Sequence, residues 1–376
     1  QTAGRLGSSR RTLTQHFHTR VRDPMRRFTT TLLTVLFSAT FAQAELIREV
    51  SVNSTADNNI FGTSNAPSDY LTEVSTYVAN AFKGEGYDTR LFYEGAGYLF
   101  ASAGERSFTT QEVGITHVRK LGEGRNTLYA GASFLTRIDQ AEYNVYDYAG
   151  MRAFLNSKFY VAPKTMVRLG YHLATRNYWN LDTASYADHY LFGQVTQFLP
   201  SKTTLRGDMS YSYKTHFSDE GQIVLGAQIA QAVRQGTGIS LRYQRRVNTI
   251  APSNDLILDG FSLDEDILVD RYDYSGHQIT SKLTQQLPFR STLVLSSGYE
   301  TQTYDDQVAL DAGGLPASDL AIRLDKITFG QVSLDVPLWN RLDLGVDYRI
   351  ERSLSNDVFY DYDGRRSFSV TFGLEF

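Results

Sequence analysis

In the last eleven residues of the chain, 366–376, hydrophobic and polar residues alternate without exception from Ser367 to Phe376. Every second position carries an aromatic or aliphatic side chain, and the positions between carry Ser, Thr, Gly or Glu. A period of two residues places the two sets on opposite faces of an extended chain. The pattern predicts a β-strand with one apolar face and one polar face. The last strand of a soluble β-sandwich would alternate in the same way.

Similar alternating segments, separated by turn residues, recur from residue 45 onward. Many have ten or more residues, which suits a tilted membrane strand better than a strand of a soluble sheet. Alternation is unclear in 186–199 and 322–336, where we expect a bulge or a register error. We predict about sixteen strands, with fourteen or eighteen as alternatives: 50–61, 70–82, 87–100, 110–119, 127–138, 148–161, 166–178, 186–199, 204–216, 223–234, 238–247, 272–287, 292–304, 322–336, 341–352 and 366–376.

The connections between predicted strands differ in length according to their position. Connections after even-numbered strands are short, such as 83–86 and 162–164. Those after odd-numbered strands are mostly longer and more polar, such as 248–271, 305–321 and 353–365. Short turns on one side and long loops on the other are typical of outer-membrane barrels. The sequence therefore predicts an all-β fold, a transmembrane antiparallel up-and-down β-barrel with both termini on the periplasmic side.

Charged residues lie on the polar face in the strands where the alternation is clear. In a barrel that face lines the lumen, because an Arg at mid-bilayer on the lipid face costs about 2–4 kcal/mol. About sixteen strands enclose more space than side chains fill, so we expect an aqueous lumen unless loops plug it. The predicted pore-lining residues are Arg168, Arg206, Asp208, Lys214, Arg242, Arg246, Lys282, Asp343, Asp347 and Arg349.

Composition narrows the class of protein. With 37 Lys and Arg against 41 Asp and Glu in 376 residues, the net charge of -4 argues against nucleic acid as a partner. The mean hydropathy of -0.32 excludes a helical membrane bundle but not a barrel. The 24 Tyr and 22 Phe suit aromatic girdles at membrane interfaces. There is no Cys, and therefore no disulfide or thiolate site.

The N-terminal segment has the pattern of an export signal. Met25 and two arginines precede a short apolar stretch, and Ala42-Gln43-Ala44 forms a small-x-small cleavage site. The apolar stretch is too short for a spanning helix, which needs about 20 residues. We predict an unstructured upstream extension at 1–24, a signal peptide at 25–44 and a barrel domain at 45–376.

The predicted loop 248–271 offers two interpretations. It carries six carboxylates and follows a group of arginines on strand 238–247. It would create a transverse electric field if it folded into the lumen opposite a basic wall. Alternatively it is a solvated outer loop, which we consider the better interpretation. The carboxylates are Asp255, Asp259, Asp264, Glu265, Asp266 and Asp270.

Evidence for catalysis is weak. Asp188 and His189 have the residue types of an outer-membrane protease dyad, but adjacent strand residues point to opposite faces. His172 lies among predicted lumenal residues without a Ser in a distinctive context. We find no zinc-type His pair, phosphate loop or nucleophile elbow. We therefore expect no enzymatic activity and no cofactor or metal.

Two stretches resemble known families of bacterial outer-membrane barrels. The last strand resembles the closing strand of such barrels, which implies that Phe372, Leu374 and Phe376 form a signal for the barrel assembly machinery. Residues 57–61 and 68–72 resemble the start of the putative β-barrel porin families. The barrel of surface lipoprotein assembly modifiers begins similarly, but it follows a helical repeat domain that this sequence lacks.

These resemblances imply a location in the outer membrane of a bacterium with two membranes. The first functional hypothesis is a porin-like channel for passive diffusion of small hydrophilic solutes. The second is a non-conducting barrel that acts in surface assembly, export or adhesion through its loops, and the third is a barrel hydrolase. The expected partners are outer-membrane lipid, lipopolysaccharide, the assembly machinery and small solutes, with oligomers as a further option.

Overall fold

Sixteen β-strands make up most of the described chain. The computed structural model describes residues 44–65, 67–122, 124–215, 219–250, 274–317 and 320–376. The upstream extension, the signal peptide up to residue 43 and the acidic stretch 251–273 lie outside these residues. The statements about them stay predictions.

Each predicted segment corresponds to one strand, with bounds that mostly agree within a few residues. The strands are β1 Ala44–Asp57, β2 Asp69–Gly84, β3 Tyr87–Phe100, β4 Phe108–Leu121, β5 Asn126–Asp139, β6 Tyr148–Ala162, β7 Thr165–Tyr178, β8 Tyr186–Phe198, β9 Thr203–Thr215, β10 Glu220–Arg234, β11 Thr237–Ile250, β12 Ser275–Gln286, β13 Thr292–Val308, β14 Ile322–Trp339, β15 Leu342–Ser355 and β16 Tyr362–Glu375. Short 3-10 turns lie at Gly104–Arg106, Ala141–Tyr146, Asp182–Ala184 and Pro288–Arg290.

The strands form a closed antiparallel ring in which each strand pairs with its neighbours in sequence. The ring closes between β1 and β16, from the pair Glu49 and Glu375 to the pair Asp57 and Ser367. Closure leaves no unpaired sheet edge, which is required of strands that cross a lipid bilayer. The predicted up-and-down barrel of sixteen strands is confirmed, and the β-sandwich alternative is wrong.

The first strand ends earlier than its predicted bound at residue 61. The Asp57 carboxylate accepts a hydrogen bond from the backbone N–H of Asn59 at 2.8 Å. The Asn59 carbonyl then accepts one from the N–H of Gly62 at 3.1 Å. Such local bonds turn the chain away from the strand, as Asp and Asn often do. The residues after Asp57 therefore start a loop.

The two ends of the barrel carry connections of different length, as predicted. We call the end that holds Ala44 and Glu375 the short-turn rim, and the opposite end the long-loop rim. Connections at the short-turn rim have two to five residues: 85–86, 122–125, 163–164, 199–202, 235–236, 287–291 and 340–341. Those at the long-loop rim are mostly longer: 58–68, 101–107, 140–147, 179–185, 216–219, 251–274, 309–321 and 356–361.

The unclear alternation in two strands has a cause other than the one predicted. β8 pairs with β7 and β9 without any register shift, so the bulge predicted there is wrong. The irregularity predicted for 322–336 occurs only at its first residue, Ile322, opposite an extra stretch of β13. Tyr190 and Phe192 in β8, and Phe329 in β14, lie on the same face as charged residues. Apolar residues on both faces hide the alternation.

Pro337 lies inside β14 rather than in the predicted turn 337–340. Its neighbour β13 begins at Thr292, which pairs with Asp335, so Pro337 extends beyond that strand. On the other side the register with β15 shifts between Pro337 and Trp339. Proline cannot donate a ladder hydrogen bond and is tolerated at such an irregular strand end.

One face of the barrel is exposed and apolar. On β11 it presents Ile239, Leu241 and Tyr243, with exposed fractions of 47%, 50% and 40%. Exposed aromatic residues lie near both rims, including Tyr70 at the long-loop rim and Trp339 at the short-turn rim. An apolar band with aromatic borders is the lipid-facing surface of a membrane barrel. Within the described residues, none of the helical segments has the length and apolar character needed to cross a membrane.

A buried arginine connects neighbouring segments at the long-loop rim. Arg323 is 4% exposed, and its Nη2 donates to the Asp325 carboxylate at 2.6 Å. Its guanidinium lies 4.1 Å from the ring centroid of Tyr304 and 3.2 Å from that of Tyr360. Because Tyr360 belongs to the connection 356–361, the cluster holds that connection against β13 and β14.

Candidate functional site in the barrel lumen

Contacts that pass over an intervening strand identify the concave face. Arg242 on β11 donates to Asp208 on β9 at 2.9 Å, across β10. Arg152 on β6 donates to Glu112 on β4 at 3.1 Å, across β5. Curvature brings side chains together only on the inside of a closed sheet. The polar face is therefore concave and surrounds the lumen.

Five of the predicted pore-lining residues surround a single hollow on this face. Strands β7, β9 and β11 supply them through strict alternation, so each points inward from its own strand. Tyr190, Phe192 and Gln194 of β8 line the same hollow. The five residues are Arg168, Arg206, Asp208, Arg242 and Arg246.

The Asp208 carboxylate forms ion pairs with two arginines. Its carboxylate accepts from Arg206 Nε at 3.1 Å and from Arg242 Nη2 at 2.9 Å. Gly226 on β10 lies between them, and a Cβ at that position would come within 2.3 Å of Asp208 Oδ2. The glycine makes room for the bridge over its strand. Two guanidinium groups with one carboxylate leave this part of the wall positive.

The other five predicted residues lie away from this hollow. Lys214 approaches Glu220 at 3.4 Å near the long-loop rim. Asp347 accepts from Gln331 at 3.1 Å on the opposite wall. Arg349 donates to Glu351 at 3.0 Å and lies over the Phe329 ring. The remaining two, Lys282 and Asp343, are exposed concave residues on β12 and β15. A role in lining a pore stays a prediction for all ten.

The prediction missed a group of acidic residues on the concave face of β1 to β4. Glu94 and Glu112 are direct register partners, and Glu73 and Glu49 lie on the neighbouring strands. The alternation that identified the other residues is weak in β3, because Phe92 and Tyr98 share the inward face with Glu94. The outward residues of β3, which include Leu91, Tyr93 and Leu99, could have revealed the acidic residues. Their apolar character identifies the face of β3 opposite to Glu94.

Four inward phenylalanines lie against glycines of neighbouring strands. A Cβ on Gly298, for example, would come within 2.4 Å of the Phe329 ring. An aromatic ring that covers a glycine fills space and shields the backbone there. These rings therefore have a packing role, which explains apolar residues in a polar lumen. The pairs are Gly114 with Phe92, Gly131 with Phe154, Gly170 with Phe192 and Gly298 with Phe329.

The residues considered for catalysis are separated. Asp188 is a concave residue that pairs with Lys214, whereas His189 is on the convex face, where it contacts the Tyr171 hydroxyl at 2.7 Å. His172 contacts Asn156 at 2.9 Å and packs against Phe154 and Phe192. Asp188 and His189 therefore do not form a dyad, in agreement with the alternation.

A tyrosine outside the strands supports Arg246 at the long-loop end of the hollow. Burial raises the pKa of Tyr274 above its ordinary value, so the phenol stays neutral and donates to Glu300 at 3.0 Å. The Arg246 guanidinium lies 5.1 Å from the Tyr274 ring centroid. A cation over an aromatic face is favourable, and the contact positions Arg246 toward the lumen.

Comparison with known proteins shows similarity in structure only. No protein-family model matches the chain. No curated protein matches its sequence. A bacterial polysaccharide outer membrane secretin is similar with a TM-score of 0.52 and 12% identity, over 88% of this chain and 98% of that one. OccAB1 from Acinetobacter baumannii gives 0.52 and 10%, over 89% and 96% of the two chains. The chain has the fold of an outer-membrane β-barrel.

A third similar structure, CdiB from Acinetobacter baumannii, has a TM-score of 0.54 and 11% identity, over 88% of this chain and 60% of that one. Identities this low show a shared fold alone.

Outer-membrane barrels of sixteen strands are wider than their inward side chains can fill. The charged residues described above therefore face a lumen that has room for water.

Proposed function

We propose that the protein is a porin-like channel of the outer membrane, through which small hydrophilic solutes diffuse passively. The short-turn rim would face the periplasm and the long-loop rim the cell exterior, as is usual for such barrels. Phe372 and Leu374 on the convex face of β16, and Phe376 directly after this strand, would serve the assembly machinery; all three are exposed.

The observation that carries the proposal is the contrast between the two faces of one strand. On β11, Leu241 and Tyr243 belong to the apolar convex surface, while Arg242 and Gln244 line the concave hollow. A barrel whose inward residues only supported packing would carry apolar side chains there. Charged and amide side chains around an unfilled space are suited to contact with water and dissolved solutes.

Conductance in planar bilayers tests the proposal. The purified protein is expected to give stable single-channel currents in potassium chloride. Ion selectivity shows whether the current passes along the lumenal residues. Arg246→Gln should shift the reversal potential toward cation selectivity, because the substitution removes a lumenal positive charge.

The neighbouring residue provides a matched control. Arg245 lies on the convex face against His277, so Arg245→Gln should leave the reversal potential unchanged. A folded protein that inserts without passing current would contradict the proposal and favour a barrel that acts through its loops. The same shift in both variants would show that the current does not pass along the concave face.

A further inference from the structure

We propose that the lumen is electrically polarised across its width and that it favours solutes carrying both a positive and a negative group. The proposal rests on the channel function proposed above. The basic wall consists of the concave face of β6 to β12, and the acidic wall of the concave faces of β13 to β16 and β1 to β5.

The charges on the concave face are sorted by strand. At the paired concave positions of β6 to β12 the described chain has nine Lys or Arg against three Asp or Glu. At the paired concave positions of the remaining nine strands, the described chain has fourteen Asp or Glu against seven Lys or Arg. One half of the lumen is therefore positive and the other half negative.

The two walls face each other across the lumen. In the closed ring, β9 is the middle strand of the basic wall, and β1 is the middle strand of the acidic wall. These two strands are eight positions apart in a ring of sixteen, so they lie on opposite sides. Arg206 on β9 and Glu49 on β1 point inward from these opposite strands.

Each wall contains like charges directly opposite one another in the sheet. Lys158 and Arg168 are register partners on β6 and β7, and neither side chain has a hydrogen bond or ion pair among the described residues. On the other wall Glu94 and Glu112 are register partners on β3 and β4. Like charges in this arrangement destabilise a sheet, so these pairs are not explained by folding. Glu112 also accepts from Arg152 at 3.1 Å, whereas Lys158, Arg168 and Glu94 leave charge available to a solute on both walls.

Few ion pairs join the two walls directly. At the boundary between them, Arg152 on β6 donates to Glu112 on β4 at 3.1 Å. Elsewhere the pairs are mostly local, as for Arg206 with Asp208 and Arg349 with Glu351. Opposite charges that are held apart on rigid strands produce a field across the space between them. A solute with both charges can orient in that field, whereas an ion with one charge is attracted to one wall and repelled by the other.

Swelling of liposomes tests the proposal with two isomers of equal composition, zwitterionic β-alanine and neutral lactamide. In low salt the full-length barrel should admit β-alanine roughly tenfold faster than lactamide, the lower end of electrostatic rate enhancement. The ratio should fall as salt is added, because salt screens the field. The convex variant Arg245→Gln should give the same ratio as the unmodified protein.

Three further variants separate a field from a simple excess of one charge. Lys158→Gln with Arg168→Gln should shift ion selectivity toward cations, and Glu94→Gln with Glu112→Gln should shift it toward anions. All four substitutions together should return ion selectivity close to its original value and reduce the β-alanine preference several-fold. A preference that survives the combined variant, or equal rates in the unmodified protein, would overturn the proposal. If vesicles with inserted barrels admit neither isomer, the channel function itself is contradicted.

Discussion

Single residues on the concave face show which contacts shape the lumen. Gly298 is in close contact with the Phe329 ring, and the carbonyl oxygen of Ile279 would lie 3.1 Å from a Cβ added there. Phe329 in turn supports the Arg349 guanidinium at 4.2 Å. A side chain at position 298 would displace the ring and the cation that rests on it.

Gly298→Ala should destabilise the barrel by about 1–3 kcal/mol, as expected for overpacking. Unfolding by urea in detergent micelles measures the change. Gly207 has no atom within 4 Å of an added Cβ, so Gly207→Ala should be neutral or stabilising by about 0.4–1 kcal/mol. Equal effects of the two substitutions would contradict the role assigned to the aromatic ring.

The buried Arg323 gives a second prediction at this scale. Arg323→Ala leaves the Asp325 carboxylate, itself 2% exposed, without its main partner. Loss of one member of a buried pair typically costs about 3–5 kcal/mol. We also expect faster proteolysis in the connections 309–321 and 356–361, because the cluster no longer holds them.

Arg352 provides the comparison for Arg323. Its side chain is half exposed and lies 3.5 Å from Asp363, which is 78% exposed. Such surface pairs contribute about 0–1 kcal/mol, so Arg352→Ala should change the unfolding midpoint little. A large effect of Arg352→Ala, or none of Arg323→Ala, would be inconsistent with the assigned burial.

At the scale of the strand, the sequence predicts well wherever one face is apolar and the other polar. On β11, Arg242 and Arg246 were predicted to point inward, and both line the concave hollow. β3, β8 and β14 were located correctly, but their faces were unclear because aromatic rings cover glycines on the polar side. Periodicity reports burial and polarity, and it cannot distinguish a ring that faces lipid from one that packs on a lumenal glycine.

Leu241 and its neighbour Ser240 test the assignment of faces on β11. Leu241→Arg should weaken folding into phospholipid vesicles by about 2–4 kcal/mol, because it places a charge in lipid. Ser240→Arg places the same side chain in the lumen and should change the folding free energy much less. Urea titration of vesicle-inserted protein measures both. A larger cost for Ser240→Arg would reverse the assignment of faces.

At the scale of the whole molecule, the ring of strands determines which charges oppose each other. Glu49 and Arg206 lie far apart in sequence, and only ring closure between β1 and β16 places them on opposite walls. The sequence therefore predicted individual inward charges but not their division into two walls. A transverse field predicted from the sequence depends on the loop 248–271 folding into the lumen, and most of this loop lies outside the described residues. The structure instead places acidic charge on the strands.

The most direct test of the account is the reactivity of single cysteines along β11, which is feasible because the chain has no Cys of its own. Six variants carry one cysteine each at positions 239 to 244, and the barrels are inserted in lipid vesicles. A small water-soluble thiol reagent should modify the cysteines at 240, 242 and 244 and should leave those at 239, 241 and 243 unmodified. Equal reactivity at all six positions, or reactivity at the odd positions alone, would contradict an apolar convex face in lipid around a water-filled lumen.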